Sequence, residues 1–166
     1  ASWTADQFDP QLNWNDIAWI KEAWDGPLIL KGIMSPDDAV EAYKHGGDAI
    51  VVSNHGGRQL DGAPSSISAL EPIIEALAQH NSNMEVYMDG GITQGQDILR
   101  AKALGADGVM IGRAFLYGLA AFGQAGVEKT LKLLANELDV TMAFCGHTNL
   151  NDVDKSILLN PDTLKY

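Results

Sequence analysis

Four short apolar runs constrain this chain more than any other feature: Leu28-Ile29-Leu30, Ala49-Ile50-Val51-Val52, Met84-Glu85-Val86-Tyr87-Met88 and Gly108-Val109-Met110-Ile111. They are almost free of charge, as strands buried on both faces are. Helical stretches separate them. Stretch 36–45 opens with Ser35 as N-cap and Pro36 in the first turn, and it closes at Gly46-Gly47. Stretch 65–80 places Ile67, Leu70, Ile74 and Leu77 on one stripe, and 94–104 carries Ile98 and Leu99 before Gly105. An earlier helix is expected over 13–24, with Asn13 as cap and Trp14, Ile17, Ile20 and Trp24 on its apolar face. Two helices are expected after the last strand, over 114–122 and 127–144, and the tail from Asn149 reads as a turn and a short helix.

The order is therefore one helix followed by four βα units, which implies a parallel sheet with right-handed crossovers. A doubly wound sheet and part of a (β/α)8 barrel both satisfy it. A full barrel needs about 250 residues, and four units are half of one. The 166 residues read as one domain, 1–166, without repeats, low-complexity segments or a linker.

Apolar residues make up 46% of the chain and charged residues 20%, so a sizeable core is available. Acidic residues outnumber basic ones 22 to 11, and the net charge of -11 argues against nucleic-acid partners. Any anion must be held by a few local donors working against that field. No apolar run reaches the roughly 18 residues that span a bilayer, and no signal peptide is visible, so a cytoplasmic location is expected. The chain begins Ala1-Ser2-Trp3-Thr4 and enters Gln7-Phe8-Asp9-Pro10 almost at once, which suggests a fragment of a longer chain. Cys145 is the single cysteine and is expected to be buried and inert. No His or carboxylate pair has metal-ligand spacing, so no metal site is expected.

In parallel α/β folds the chemistry gathers at the C-terminal ends of the strands. Here the four runs end in Lys31-Gly32, in Ser53-Asn54-His55-Gly56-Gly57-Arg58, in Asp89-Gly90-Gly91 and in Gly112-Arg113. A buried ammonium needs a partner, so Lys31 suggests a ligand of negative character, or else a side chain reaching solvent. His55 suits proton transfer near neutral pH, and Arg58 offers a planar fork for a carboxylate. Together they suit removal of a proton near a carboxylate; the bland alternative is a polar glycine-rich turn. Asp89-Gly90-Gly91 and Gly112-Arg113 lie where many barrels bind phosphate, with main-chain N–H groups, a helix N-terminus and an arginine to hold it. His45, His80 and His147 read as helix-end or loop residues, and Trp14, Trp19 and Trp24 as packing residues.

These residues resemble the FMN-dependent 2-hydroxy-acid dehydrogenase and oxidase family, of the glycolate oxidase and flavin-linked L-lactate dehydrogenase type. The resemblance runs from about Gln7 to Leu158. Its most specific part is Ile50-Val51-Val52-Ser53-Asn54-His55-Gly56-Gly57-Arg58-Gln59-Leu60-Asp61. Trp24-Asp25-Gly26-Pro27, Lys31-Gly32-Ile33 and Gly112-Arg113-Ala114-Phe115-Leu116-Tyr117 tilt it toward the lactate dehydrogenase branch. The resemblance implies oxidation of an L-2-hydroxy acid to the 2-oxo acid through FMN. It implies that Lys31 sits by the flavin N1 and O2 atoms and that Ser53 bonds the ring. His55 would be the catalytic base, touching substrate, and Arg58 would bind the substrate carboxylate. Asp89, Gly90, Gly91, Ile92 and Thr93 would hold the ribityl chain and phosphate, and Gly112 and Arg113 would close the phosphate site.

One departure stands out, because the family commonly has arginine where this chain has Thr93. The missing charge-assisted contact is worth on the order of 1.5–3 kcal/mol, or roughly one to two powers of ten in FMN affinity. The matched region corresponds to strands five to eight of the family's barrel. The first half would supply further flavin and substrate groups and the carboxylate that orients the base. Closing the exposed sheet edges then calls for that N-terminal half or for a dimer of half-barrels. The alternative function is an FMN- or phosphate-binding half-barrel without turnover. In the full-length enzyme, peripheral membrane contact is compatible with the family.

Overall fold

The computed structural model describes residues 11–159. The stretch Gln7-Phe8-Asp9-Pro10, where the resemblance begins, lies outside the described residues. Helix α1 (Asp16–Ala23) precedes β1 (Ile29–Ile33), α2 (Pro36–Lys44), β2 (Ala49–Val52), α3 (Ser66–Gln79), β3 (Glu85–Met88), α4 (Gly95–Ala103), β4 (Gly108–Val109) and α5 (Arg113–Phe144). The strands form one parallel sheet in the order β1-β2-β3-β4. Ile50 pairs with Leu30 on one side and Val86 on the other, and Met88 pairs with Val109. The expected alternation is thus present as a four-stranded parallel sheet with intervening helices, consistent with part of an α/β barrel.

Burial differs from strand to strand. β2 is buried at every residue, whereas the edge strand β1 alternates and leaves Ile29 52% exposed. The expectation that all four runs are buried on both faces therefore holds only for β2, since β3, flanked on both sides, still leaves Glu85 exposed and Tyr87 half-buried. The core joins Ile50, Val52, Leu70, Ile73, Val86 and Met88. Burying each such side chain contributes on the order of 1.5–3 kcal/mol. Ser35 and Ser65 cap α2 and α3 by accepting from Asp38 N and Ser68 N. Asp48 ties α1 to the sheet: its Oδ2 accepts from Leu28 N at 2.8 Å and from Lys21 Nζ at 3.1 Å. These bonds, the one from Leu28 first, hold the Asp48 carboxyl below its usual pKa.

One helical expectation needs correction. α1 starts at Asp16 because Asn13 Oδ1 folds into a turn that accepts from Asn15 N. It stops before Trp24, whose backbone is extended and whose ring is 58% exposed with Nε1 donating to Pro27 O. Trp19 is also exposed, whereas Trp14 packs on the core and stacks on His45. The two helices expected after β4 are both present as the arms of α5, which breaks sharply at Phe122 and Gly123, at the start of the expected gap. Gly123 has φ 59° and ψ −139°, a conformation essentially confined to glycine. The two arms then cross so tightly at Gly118 and Gly126 that neither position has room for a Cβ.

Candidate active site

Lys31 links the first three strand ends. Its Nζ donates to Ser53 Oγ at 2.8 Å and pairs with Asp89 Oδ2 at 2.9 Å. Asp89 of the same chain thus supplies a negative partner for Lys31, one that the sequence alone leaves to a ligand or to solvent. Ser53, 1% exposed, also accepts from His55 N at 3.1 Å. Asp89 Oδ1 is buried and has no hydrogen-bond partner. A buried carboxylate oxygen in that state is costly and would be satisfied by a ligand hydroxyl or N–H.

The segment after β2 forms a 3-10 turn over His55–Gly57. His55 has φ 55°, a left-handed conformation that a histidine adopts only when its surroundings enforce it. Asn54 supplies much of that enforcement: its Oδ1 accepts from Gly56 N at 3.0 Å and its Nδ2 donates to Pro64 O at 3.2 Å. Its own N–H donates to Ser66 Oγ at 3.0 Å. The His55 ring lies over the bulge in β1, where a Cβ on Gly32 (φ 101°) would come within 2.8 Å of His55 Cε1. Arg58 follows as the C-cap of the turn and is exposed. Asn54 entered the sequence reading only as part of a motif, and Ser66 did not enter it as a site residue.

The glycines after β3 divide in role. A Cβ on Gly90 would stand 2.9 Å from both Asn54 Oδ1 and Ser66 Oγ, so Gly90 makes room for the His55 turn. Gly91 faces open space. The side chain of Ile92 belongs to the core. Thr93 turns toward α4: its N and Oγ1 donate to Asp97 Oδ2 at 3.0 and 3.2 Å. Gln94 N donates to the same oxygen, and Gly95 N donates to Glu137 Oε2 at 2.9 Å. After β4, by contrast, Gly112 caps α5 without any side-chain hydrogen bond and has open space around it. The Arg113 Nη2 reaches to 3.4 Å from where a Gly56 Cβ would stand.

One cavity of about 970 Å³ is lined by Lys31, His55, Arg58, Asp89, Gly90, Gly91, Ile92, Thr93, Gly112 and Arg113. Ser53 touches it through Lys31. The residues that the resemblance assigned to the site therefore meet at one end of the sheet. An unpartnered acceptor at Asp89, open backbone at Gly91 and Gly112, and an uncapped helix N-terminus beside Arg113 fit a ligand that carries both hydroxyls and a phosphate, as FMN does. The remaining candidates lie apart from this cavity. His45 ends α2, its Nδ1 2.9 Å from Glu41 O. His80 is exposed at the end of α3, while His147 is half-buried rather than exposed. Cys145 is exposed, contrary to expectation, because it follows the last residue of α5 where the chain reverses at Gly146.

The sequence matches the FMN-dependent dehydrogenase family over residues 1–160. An L-lactate dehydrogenase of Pseudomonas syringae pv. syringae is 49% identical over 157 residues, covering 95% of this chain and 40% of the relative. The L-lactate dehydrogenase of Acinetobacter baylyi is 47% identical over 163 residues, covering 98% of this chain and 42% of the relative. Among solved structures, (S)-mandelate dehydrogenase, described as a monotopic membrane protein, superposes with a TM-score of 0.89 at 37% identity, covering 96% of this chain and 41% of that one. The chain thus spans about two fifths of the length of the relatives it matches. On the family match and these identities, the chain belongs to the FMN-dependent dehydrogenase family.

Proposed function

We propose that this chain is the FMN-holding, substrate-deprotonating half of an enzyme that oxidises an L-2-hydroxy acid, lactate- or glycolate-like, to the 2-oxo acid. The observation that carries the proposal is the convergence of His55, Arg58, Lys31, Asp89, Gly112 and Arg113 on one cavity. In this reading the four βα units of 1–166 form one domain equivalent to strands five to eight of a (β/α)8 barrel. FMN, when bound, supplies the two-electron acceptor for turning C–OH into C=O. Lys31 holds positive charge at the reacting end of the cavity, fixed by Ser53 and Asp89. Arg58 binds the substrate carboxylate and orients the hydroxyl-bearing carbon toward His55. His55 takes up a proton as that carbon is oxidised. Asp89 to Thr93 line the cofactor's polyol and phosphate chain, and Gly112, Arg113 and the N-terminus of α5 hold the phosphate.

The His55 ring has no hydrogen-bond partner among the described residues, so the group that orients it comes from outside them. The same holds for the cover over Ile29, Tyr117, Phe122 and Phe144, large apolar side chains left exposed on β1 and α5. A complementary N-terminal half, or a second copy of the chain, closes these surfaces. They also favour a second reading for the chain on its own: an FMN- or phosphate-binding half-barrel that self-associates without turnover. No described helix is long and apolar enough to cross a membrane. A cytoplasmic location with peripheral membrane contact fits the likeness to the monotopic mandelate dehydrogenase.

The test is the visible spectrum of the purified protein before and after anaerobic addition of L-lactate. Flavin absorbance that bleaches supports the enzyme, and yellow protein that does not bleach supports the binder. Colourless protein without affinity for added FMN supports neither. In the active enzyme, His55→Ala is expected to keep FMN and lose turnover by roughly 10²–10⁴-fold, the ordinary worth of a positioned acid–base group.

A further inference from the structure

Outside the residues already assigned, the most constrained polar group beside the cavity is Ser66. It and Ser53 are the two buried polar residues among the described residues, each 1% exposed. Ser66 does not cap α3, because the neighbouring Ser65 does so by accepting from Ser68 N. Its hydroxyl instead accepts from Asn54 N at 3.0 Å. Asn54 in turn accepts from Gly56 N and donates to Pro64 O, closing the loop between the His55 turn and the start of α3. The end of β3 is shaped around this joint, since a Cβ on Gly90 would collide with Asn54 Oδ1 and Ser66 Oγ alike. The residue that this framework holds in a left-handed conformation is His55.

We infer that Ser66 is a positioning residue for the reaction: through Asn54 it anchors the strained His55 turn to α3 and so fixes the base over Gly32. The inference rests on the reading of His55 as the base. Without the hydroxyl, the Asn54 N–H loses its acceptor and the turn can relax toward ordinary backbone angles. The imidazole would then leave its place above the β1 bulge.

The test compares Ser66→Ala and Ser66→Thr with the parent in the FMN-loaded full chain. Amide hydrogen exchange at 54–57 and kcat per bound flavin for L-lactate are measured well below the unfolding midpoint. In Ser66→Ala, Gly56 and Gly57 are expected to exchange about tenfold faster and kcat to fall about tenfold, the effect of one lost buried hydrogen bond. Ser66→Thr keeps the hydroxyl and is expected to restore both. A merely structural role would lower the unfolding midpoint and leave kcat per bound flavin unchanged. Should Ser66→Ala not fold, Ser66→Cys, a weaker acceptor of similar size, is expected to move both readouts the same way by less. Unchanged exchange in the variant overturns the inference whatever the activity. Faster exchange with full kcat also overturns it when His55→Ala is inactive. If His55→Ala still turns over, the base assignment is what fails, and exchange alone then decides whether Ser66 anchors the turn.

Discussion

Helices α4 and α5 follow adjacent strands and present their N-termini beside the same cavity, yet they are finished in opposite ways. The first turn of α4 is filled by the chain itself, with Asp97 taking the N–H groups of Thr93 and Gln94 and Glu137 taking that of Gly95. The first turn of α5 has Gly112 as its cap, no side-chain bond to it, and Arg113 alongside. Every helix N-terminus offers orphan N–H groups and a positive dipole end. Two carboxylates already occupy that end of α4, so an added anion there would meet repulsion. At α5 the same end is open. One helix is thus complete in itself and the other open at its start, and under the proposed function the phosphate belongs at the second.

The strongest way to break this comparison is to make α5 resemble α4. Gly112 has a negative φ and open space around it, so Gly112→Asp can place a carboxylate at the cap. A like charge some 4 Å from the phosphate costs about 3–4 kcal/mol at a partly screened site, so the FMN dissociation constant is expected to rise at least a hundredfold. Flavin fluorescence titration checks this, and undiminished affinity would put the phosphate elsewhere. Arg113→Ala comes next. Loss of one charge-assisted bond is worth about 1.5–3 kcal/mol, so affinity is expected to fall roughly ten- to hundredfold, more steeply at low salt. Removing the occupant of the other helix gives a different kind of effect. Asp97→Ala is expected to cost about 1 kcal/mol of stability as a lost cap. The unfolding midpoint should fall by about 2–4 °C with FMN affinity nearly unchanged, measured by calorimetry and titration on the same sample.

How much of this was legible in the sequence varies by residue. Lys31, His55 and Asp89 were readable because polar groups at the ends of apolar runs violate the local pattern. The pairing of Lys31 with Asp89 was not readable, since it joins strands that adjoin only through β2 in the folded sheet. Ser66 was hidden by Ser65: both look like helix caps, and only the fold shows which hydroxyl turns back to Asn54. The different endings of α4 and α5 were hidden too, because Glu137 reaches Gly95 from 42 positions away. Trp24 misled because its spacing continues the apolar stripe, whereas Asp25-Gly26-Pro27 ends the helix before it. Local pattern thus located the strand ends, and tertiary contact decided what each one meets.

Thr93 is where the two readings diverge most usefully. From sequence alone, the neutral residue is a missing phosphate contact, and Thr93→Arg should recover ten- to hundredfold in affinity. The structure puts this side chain against Asp97, with Thr93 Oγ1 3.2 Å from Asp97 Oδ2. An arginine grown from this position would start beside that carboxylate and divide its charge between Asp97 and the phosphate. A solvent-facing contact of that kind is worth about 0.2–1 kcal/mol, so Thr93→Arg alone is expected to tighten FMN by less than about tenfold. Combining it with Asp97→Asn removes the competitor, and the arginine's contribution should then grow in a double-mutant cycle. A full hundredfold gain from Thr93→Arg alone would mean that Asp97 does not hold this end of α4 against a cation, and the contrast between the two helices would lose its electrostatic basis.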